Sequence, residues 1–261
     1  MKTLFSSLGI LICLTSMFIL SATESKVEFS DSYKTIDDPK ALIASEFKIA
    51  KAENKKLLFV LGGNWCHDSR SLAKKLQDET LSEIIKADYR VSMVDVGYLN
   101  QGFEFLEKTN MSTFYATPTV LIFDPQTGQH LNAGDMHIWA NASQVSQQDS
   151  KAYFEKYSNV SAVKITENIS DAQQLHLVKL EKFLETQEGR IKLSYGVVGP
   201  LLERYKAGEK DENFEPYWDS LASLRMKLPA DILQIREKII AASDVELDGI
   251  IFPDYAALPW E

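Results

Sequence analysis

The sequence predicts an α/β fold: a central mixed β-sheet flanked by helices, followed by a mainly α-helical C-terminal extension. Three observations carry that reading. Short apolar runs at LLFVLGG, RVSMVDV and TPTVLIFD alternate with segments whose apolar residues recur at helical spacing. The stretch between the first two runs is long enough for a helical crossover, which implies parallel pairing. The tight turn at residues 125–128 instead implies an antiparallel hairpin after the third run. Beyond about residue 158 the pattern changes to three- and four-residue apolar spacing, in DAQQLHLVKLEKFLET and PADILQIREKIIAAS.

The chain opens with MKTLFSSLGILICLTSMFILSATES. One Lys leads a run of apolar and small residues over 4–20, the pattern of a secretory signal peptide spanning residues 1–22. An uncleaved anchor is the alternative, because the run approaches the length that spans a bilayer. The short basic region and the small residues that follow favour cleavage. Cys13 follows Ile12 rather than a small residue, which argues against lipidation. Export places the mature chain in the periplasm of a bacterium, or otherwise in the secretory pathway or outside the cell. Such compartments are oxidising. Of the chain's 2 cysteines, only Cys66 lies beyond the leader. A lone thiol there stays free, pairs with another molecule, or is buried and inert.

Residues 23–40 read as a polar lead-in, residues 41–157 as the α/β domain and residues 158–261 as a helical region. Ala41, Leu42, Ala44, Phe47 and Ala50 mark a helix over 41–51. LLFVLGG reads as a strand buried on both faces. A helix follows over 71–87, with Asp78-Glu79-Thr80 able to break it in two. RVSMVDV is the second strand, 101–108 a short helix and TPTVLIFD the third strand. PQTGQHL turns into a fourth strand, and 142–157 is one more helix. In the C-terminal region, Gly196, Gly199, Pro200 and Pro216 are expected to punctuate short helical pieces. The apolar end GIIFPDYAALPWE is expected to pack back on the protein or to dock a partner.

Composition excludes some functions. With 261 residues, 45% hydrophobic and 25% charged, the chain is an ordinary globular protein. A net charge of -9 argues against general nucleic-acid binding, which needs a basic face. No phosphate-cradling glycine loop and no serine-nucleophile motif occurs. His130, His137 and His176 are too scattered for a ligand set, so neither a metal nor another cofactor is expected. Asn-x-Ser triplets at Asn110, Asn141, Asn159 and Asn168 matter only in a eukaryotic secretory pathway.

The chemistry concentrates at LLFVLGGNWCHDS, with VDV at 94–96 and ATPTV at 116–120. Together these resemble the thioredoxin superfamily over roughly residues 40–157. The first is similar to the family's strand and Trp-Cys-x-x-Cys turn opening a helix; the last is similar to its cis-proline turn. The resemblance implies that Cys66 is the nucleophile. It also implies that Pro118 is cis and packs beside Cys66, leaving the backbone of Thr117 to seat an extended substrate. Trp65 is expected either to shield the site or to pack in the core. The attacking species is a thiolate, and a helix N-terminus favours it. His67 adds to that effect when protonated, and Asp68 opposes it.

Two departures limit the resemblance. Ser69 stands where the family has its resolving cysteine, and Val60 where thioredoxins carry a buried Asp. Without the second thiol, a mixed disulfide on Cys66 can be released only by an outside thiol or another thiol of the substrate. The Ser69 hydroxyl remains able to donate a hydrogen bond to the Cys66 thiolate. The expected function is monothiol thiol–disulfide exchange on protein or small-molecule thiols and disulfides, with an external reductant for release. The alternative is a non-catalytic binding or chaperone-like module that holds a partner or client.

Overall fold

The computed structural model describes residues 33–162 and 169–261. The expected leader, most of the lead-in and Asn168 lie outside the described residues.

Helix α1 (Pro39–Glu53) starts where Asp38 accepts the Ala41 N–H at 2.9 Å, with Pro39 in its first turn. It stops at Asn54, which takes a left-handed conformation with φ 54°. Strand β1 (Lys56–Gly62) pairs in parallel with β2 (Tyr89–Asp95) and antiparallel with β3 (Thr119–Phe123), so the sheet order is β2-β1-β3. The expected mixed sheet is therefore present, with the LLFVLGG run at its centre.

A strand sends alternate side chains to opposite faces, and β1 feeds two cores in this way. Leu57, Phe59 and Leu61 join Val94, Phe105, Leu121 and Phe123 on one face. Leu58 and Val60 join Leu72, Leu81, Ile122, Trp139 and Phe154 on the other. That second core is covered by α2 (His67–Lys75), α3 (Glu79–Asp88) and α4 (Gln147–Asn159). Asp78 divides α2 from α3 by capping α3, accepting the Thr80 N–H at 3.2 Å.

Several elements differ from the sequence reading. The residues of the lead-in nearest α1 are not all linker. Lys34 bridges in parallel to Val94, and the Tyr33 ring is buried. The fourth strand shrinks to a single bridge between Phe123 and His130. Beyond it the Asn132 side chain takes the place of a strand. Its Oδ1 accepts the Ile122 N–H at 2.8 Å and its Nδ2 donates to Val120 O at 2.8 Å. That amide completes an edge of β3 that backbone bonds from Leu131 N to Ile122 O and from Asp124 N to Gln129 O also pair. The helix expected over 101–108 is only a 3-10 turn, Phe103–Leu106.

The C-terminal region departs most. It forms two long helices, α5 (Asp171–Lys206) and α6 (Phe214–Ala241), rather than short pieces. Ser170 and Gln173 form a capping box that starts α5. Gly196, Gly199 and Pro200 lie inside α5, and Pro216 sits in the first turn of α6, where its missing N–H has no intrahelical role. A mid-helix Gly costs about 1 kcal/mol and a Pro about 3. Burial of Ile191, Tyr195, Val198, Leu202, Leu221, Leu224 and Leu228 outweighs that cost, because each fully buried large apolar side chain contributes roughly 1.5–3 kcal/mol. These same residues complete the core on the Leu57–Phe59–Leu61 face of the sheet, so the helical pair and the sheet share one core.

Gly199 is where α5 meets the loop after β2. A Cβ there would lie 2.3 Å from Tyr98 O, so only glycine permits the approach. The apolar end packs back on the helices. Arg190 holds Glu261 at 2.8 Å through two nitrogens, and Trp260 Nε1 donates to Ser194 Oγ at 3.2 Å. Among the described residues, no helix is long and apolar enough to cross a membrane.

Candidate functional site

Cys66 is the N-cap of α2, with extended backbone (φ -85°, ψ 130°). Its N–H donates to Gly63 O at 3.0 Å, and its carbonyl accepts from Arg70 N at 3.1 Å. The turn is braced from a distance. Asn64 exchanges two hydrogen bonds with the Tyr33 backbone, each 3.2 Å, and Tyr33 Oη donates to Ser69 O at 2.9 Å. Burial holds the Tyr33 phenol far above its ordinary range, so it remains a donor. Gly62 has no room for a side chain, because a Cβ would collide with the Tyr33 ring and Ser69 Oγ.

The Thr117–Pro118 peptide is cis, and its loop faces Cys66. Cys66 Sγ lies 3.1 Å from Thr117 O and 3.3 Å from Thr117 Oγ1. The two contacts differ in kind. A thiol can donate to the carbonyl, whereas the Thr117 hydroxyl can donate to sulfur in either protonation state. Cys66 itself is half-buried, and it is the cysteine that the described residues contain.

The other expected site residues are dispersed around this pair. Ser69 is fully buried, and its hydroxyl accepts the Gly63 N–H at 3.3 Å, beneath the turn. No hydrogen bond joins it to Cys66 among the described residues. His67 is exposed at the first turn of α2. Asp68 accepts the Ser143 N–H at 2.8 Å and so ties the helix start to the segment before α4. Trp65 donates from Nε1 to Gly97 O at 2.8 Å and stacks on Tyr98 at 6.3 Å between centroids. It is half-buried, with one edge in the core and the other beside Cys66. Val60 packs in the second core.

Sequence reasoning missed what walls the site. The end of α5 and the start of α6 stand over Cys66 and enclose a groove of about 450 Å³, lined by Cys66, Trp65, Lys206, Phe214 and Trp218. Further along α6, Arg225, Met226 and Pro229 close a cavity of about 190 Å³ against Pro118. The only sequence signal for this was the aromatic content near the junction of the two helices, which does not reveal where that junction docks. Among the described residues, no three His, Cys, Asp or Glu converge as metal ligands would.

A strand leads into a Cys-bearing helix start, and a cis-proline loop meets it at the same end of a mixed sheet. The fold is thioredoxin-like. No protein-family model matches the chain, and no curated protein does. Among solved structures, the chain is similar to the crystal structure of a disulphide isomerase from Xylella fastidiosa Temecula1. Identity is 23%, the TM-score is 0.38, and the match covers 47% of this chain and 96% of the other.

Proposed function

We propose that the protein is an exported monothiol member of the thioredoxin superfamily, acting in thiol–disulfide exchange through Cys66. The observation that carries this reading is the pairing of Cys66 Sγ with Thr117 across the loop, at the floor of an open groove. The Cys66 thiolate attacks one sulfur of a substrate disulfide. A bond forms between Cys66 and that sulfur, and the other substrate sulfur leaves as a thiolate. An external thiol then attacks the mixed disulfide and restores Cys66. No net oxidation occurs in the pair of steps. Ser69 cannot perform the second attack, because its hydroxyl is no match for a thiolate and lies buried under the turn. Pro118 and Thr117 seat the substrate, and Trp65 shields one side. The partners are protein or small-molecule thiols and disulfides.

A second reading has one observation in its favour. The hydrogen bond from Cys66 to Thr117 O exists only for the protonated thiol. A thiol held in that bond, with an aromatic groove above it, suits a module that holds a partner without turnover. One experiment separates the two. The protein is isolated from its own compartment with thiols blocked, and Cys66 is examined by mass spectrometry. A mixed disulfide names the substrate and supports exchange. No adduct, together with an intact phenotype in Cys66→Ala, supports the binding module.

A further inference from the structure

Arg225 is the unusual charge in this protein. It is 7% exposed, and its Nε has no hydrogen-bond partner. No carboxylate of the described residues forms an ion pair with it. Its guanidinium instead rests on two rings, 5.0 Å from the centroid of Trp218 and 5.8 Å from that of Tyr195. Ring faces attract a cation, but they do not replace a hydrogen-bonded counter-ion. The contact of Arg225 with the neutral Tyr195 supplies a polar partner but no counter-charge, and a buried cation without an anion beside it is costly.

The surroundings say what kind of partner. Arg225 lines the 190 Å³ cavity against Pro118, and that cavity shares Tyr115, Met136, His137 and Pro229 with a larger one of about 440 Å³. No described Asp or Glu lines either cavity, although the chain has 37 acidic against 28 basic residues. The groove over Cys66 is different, since Asp68, Glu215 and Asp219 line it and outnumber Lys206. An anion is thus favoured on the Pro118 side and opposed in the Cys66 groove.

Two links join Arg225 to the reacting sulfur. Trp218 lines the Cys66 groove on one side and carries Arg225 on its ring. Pro118 lines the Arg225 cavity, and its neighbour Thr117 bonds to Cys66 Sγ. A ligand with its sulfur at Cys66 that extended past Pro118 would enter the cavity that Arg225 lines, where a planar guanidinium matches a carboxylate in bidentate fashion.

We propose that Arg225 is the anion-binding residue of the substrate site, and that Cys66 exchanges with small disulfides bearing a carboxylate in preference to neutral ones. This rests on the exchange reading above. The step balances: the Cys66–sulfur bond forms, the disulfide of the ligand breaks, and its second half leaves as a thiolate carrying the other carboxylate.

The test has two arms. In the first, the full chain reacts with 5,5′-dithiobis(2-nitrobenzoate), which carries carboxylates, and with neutral 4,4′-dithiodipyridine. The ratio of the two rates falls at least tenfold in Arg225→Met and less than threefold in Arg225→Lys. A ratio within twofold of the parent in Arg225→Met overturns the proposal. In the second arm, Cys66→Ala, which cannot react, is titrated with 2-nitrobenzoate. Its melting temperature rises with concentration, and the rise vanishes when Arg225→Met is added. Equal rises with and without Arg225, or none in either, overturn the anion site whatever Cys66 does. A rise that depends on Arg225, in a protein whose Cys66 reacts with neither disulfide, overturns the exchange reading and the substrate preference while the anion site stands.

Discussion

The Cys66 sulfur sits between two groups of one residue, 3.1 Å from the Thr117 carbonyl and 3.3 Å from the Thr117 hydroxyl. The carbonyl can accept only from a thiol, while the hydroxyl can donate to a thiolate. Thr117→Val removes the donor and keeps both the shape and the carbonyl. A net hydrogen bond contributes about 1 kcal/mol. Alkylation of Cys66 by iodoacetamide at neutral pH is expected to slow by roughly fivefold, measured by intact mass against time.

Ser69 is the third residue of α2, where the resembled motif has its second cysteine, and is fully buried. Ser69→Cys adds only the larger sulfur atom, at a cost of about 1 kcal/mol in the packed space under Gly62. That variant is expected to form an internal disulfide with Cys66, seen as a mass loss of two hydrogens on oxidation. It is also expected to release a captured substrate without outside help, whereas under the proposed monothiol mechanism the native chain needs an external thiol.

Gly199 lets α5 come within reach of the Tyr98 carbonyl. In Gly199→Ala the new Cβ has no side chain to push aside, only backbone 2.3 Å away. A loss of about 1–3 kcal/mol is expected, read as a lower melting temperature. Because α5 then stands back from the loop that holds Trp65, Cys66 is expected to alkylate faster in the same variant.

Burial pushes His130 down to about 4 from its ordinary 6.5, with the polar Asn132 side chain opposing the shift. The unfolded chain therefore takes up the proton first as pH falls. Stability is complete above about pH 6.5 and is lost progressively toward about pH 4, by at most about 3 kcal/mol. Denaturant melts of native protein and His130→Phe across this window check the point. The variant should lack that part of the slope.

The central sheet and the approach of the cis-proline turn to Cys66 were legible because each part carries a local signature, although the two halves of the site lie 51 positions apart in the chain. An unbroken apolar run ending in Gly62 and Gly63 is a buried strand, and Trp-Cys before a helix with Thr-Pro-Thr before a strand marks the two halves of one site. What failed had no such signature. Asn132 ends a strand by imitating one, which no propensity reveals. Gly196, Gly199 and Pro200 read as breaks, yet packing against the sheet carries α5 straight through them. Tyr33, Trp218 and Arg225 reach the site from distant parts of the chain, and only the shared core brings them there.

The most direct measurement is the fate of a mixed disulfide on Cys66. The protein is mixed with an equimolar small disulfide and quenched in acid, and the adduct is followed by intact mass and located by peptide mapping. The expected result is a single adduct on Cys66 that persists until an external thiol is added and then disappears. No adduct at Cys66, or an adduct that resolves with no thiol added, would contradict a monothiol exchange site.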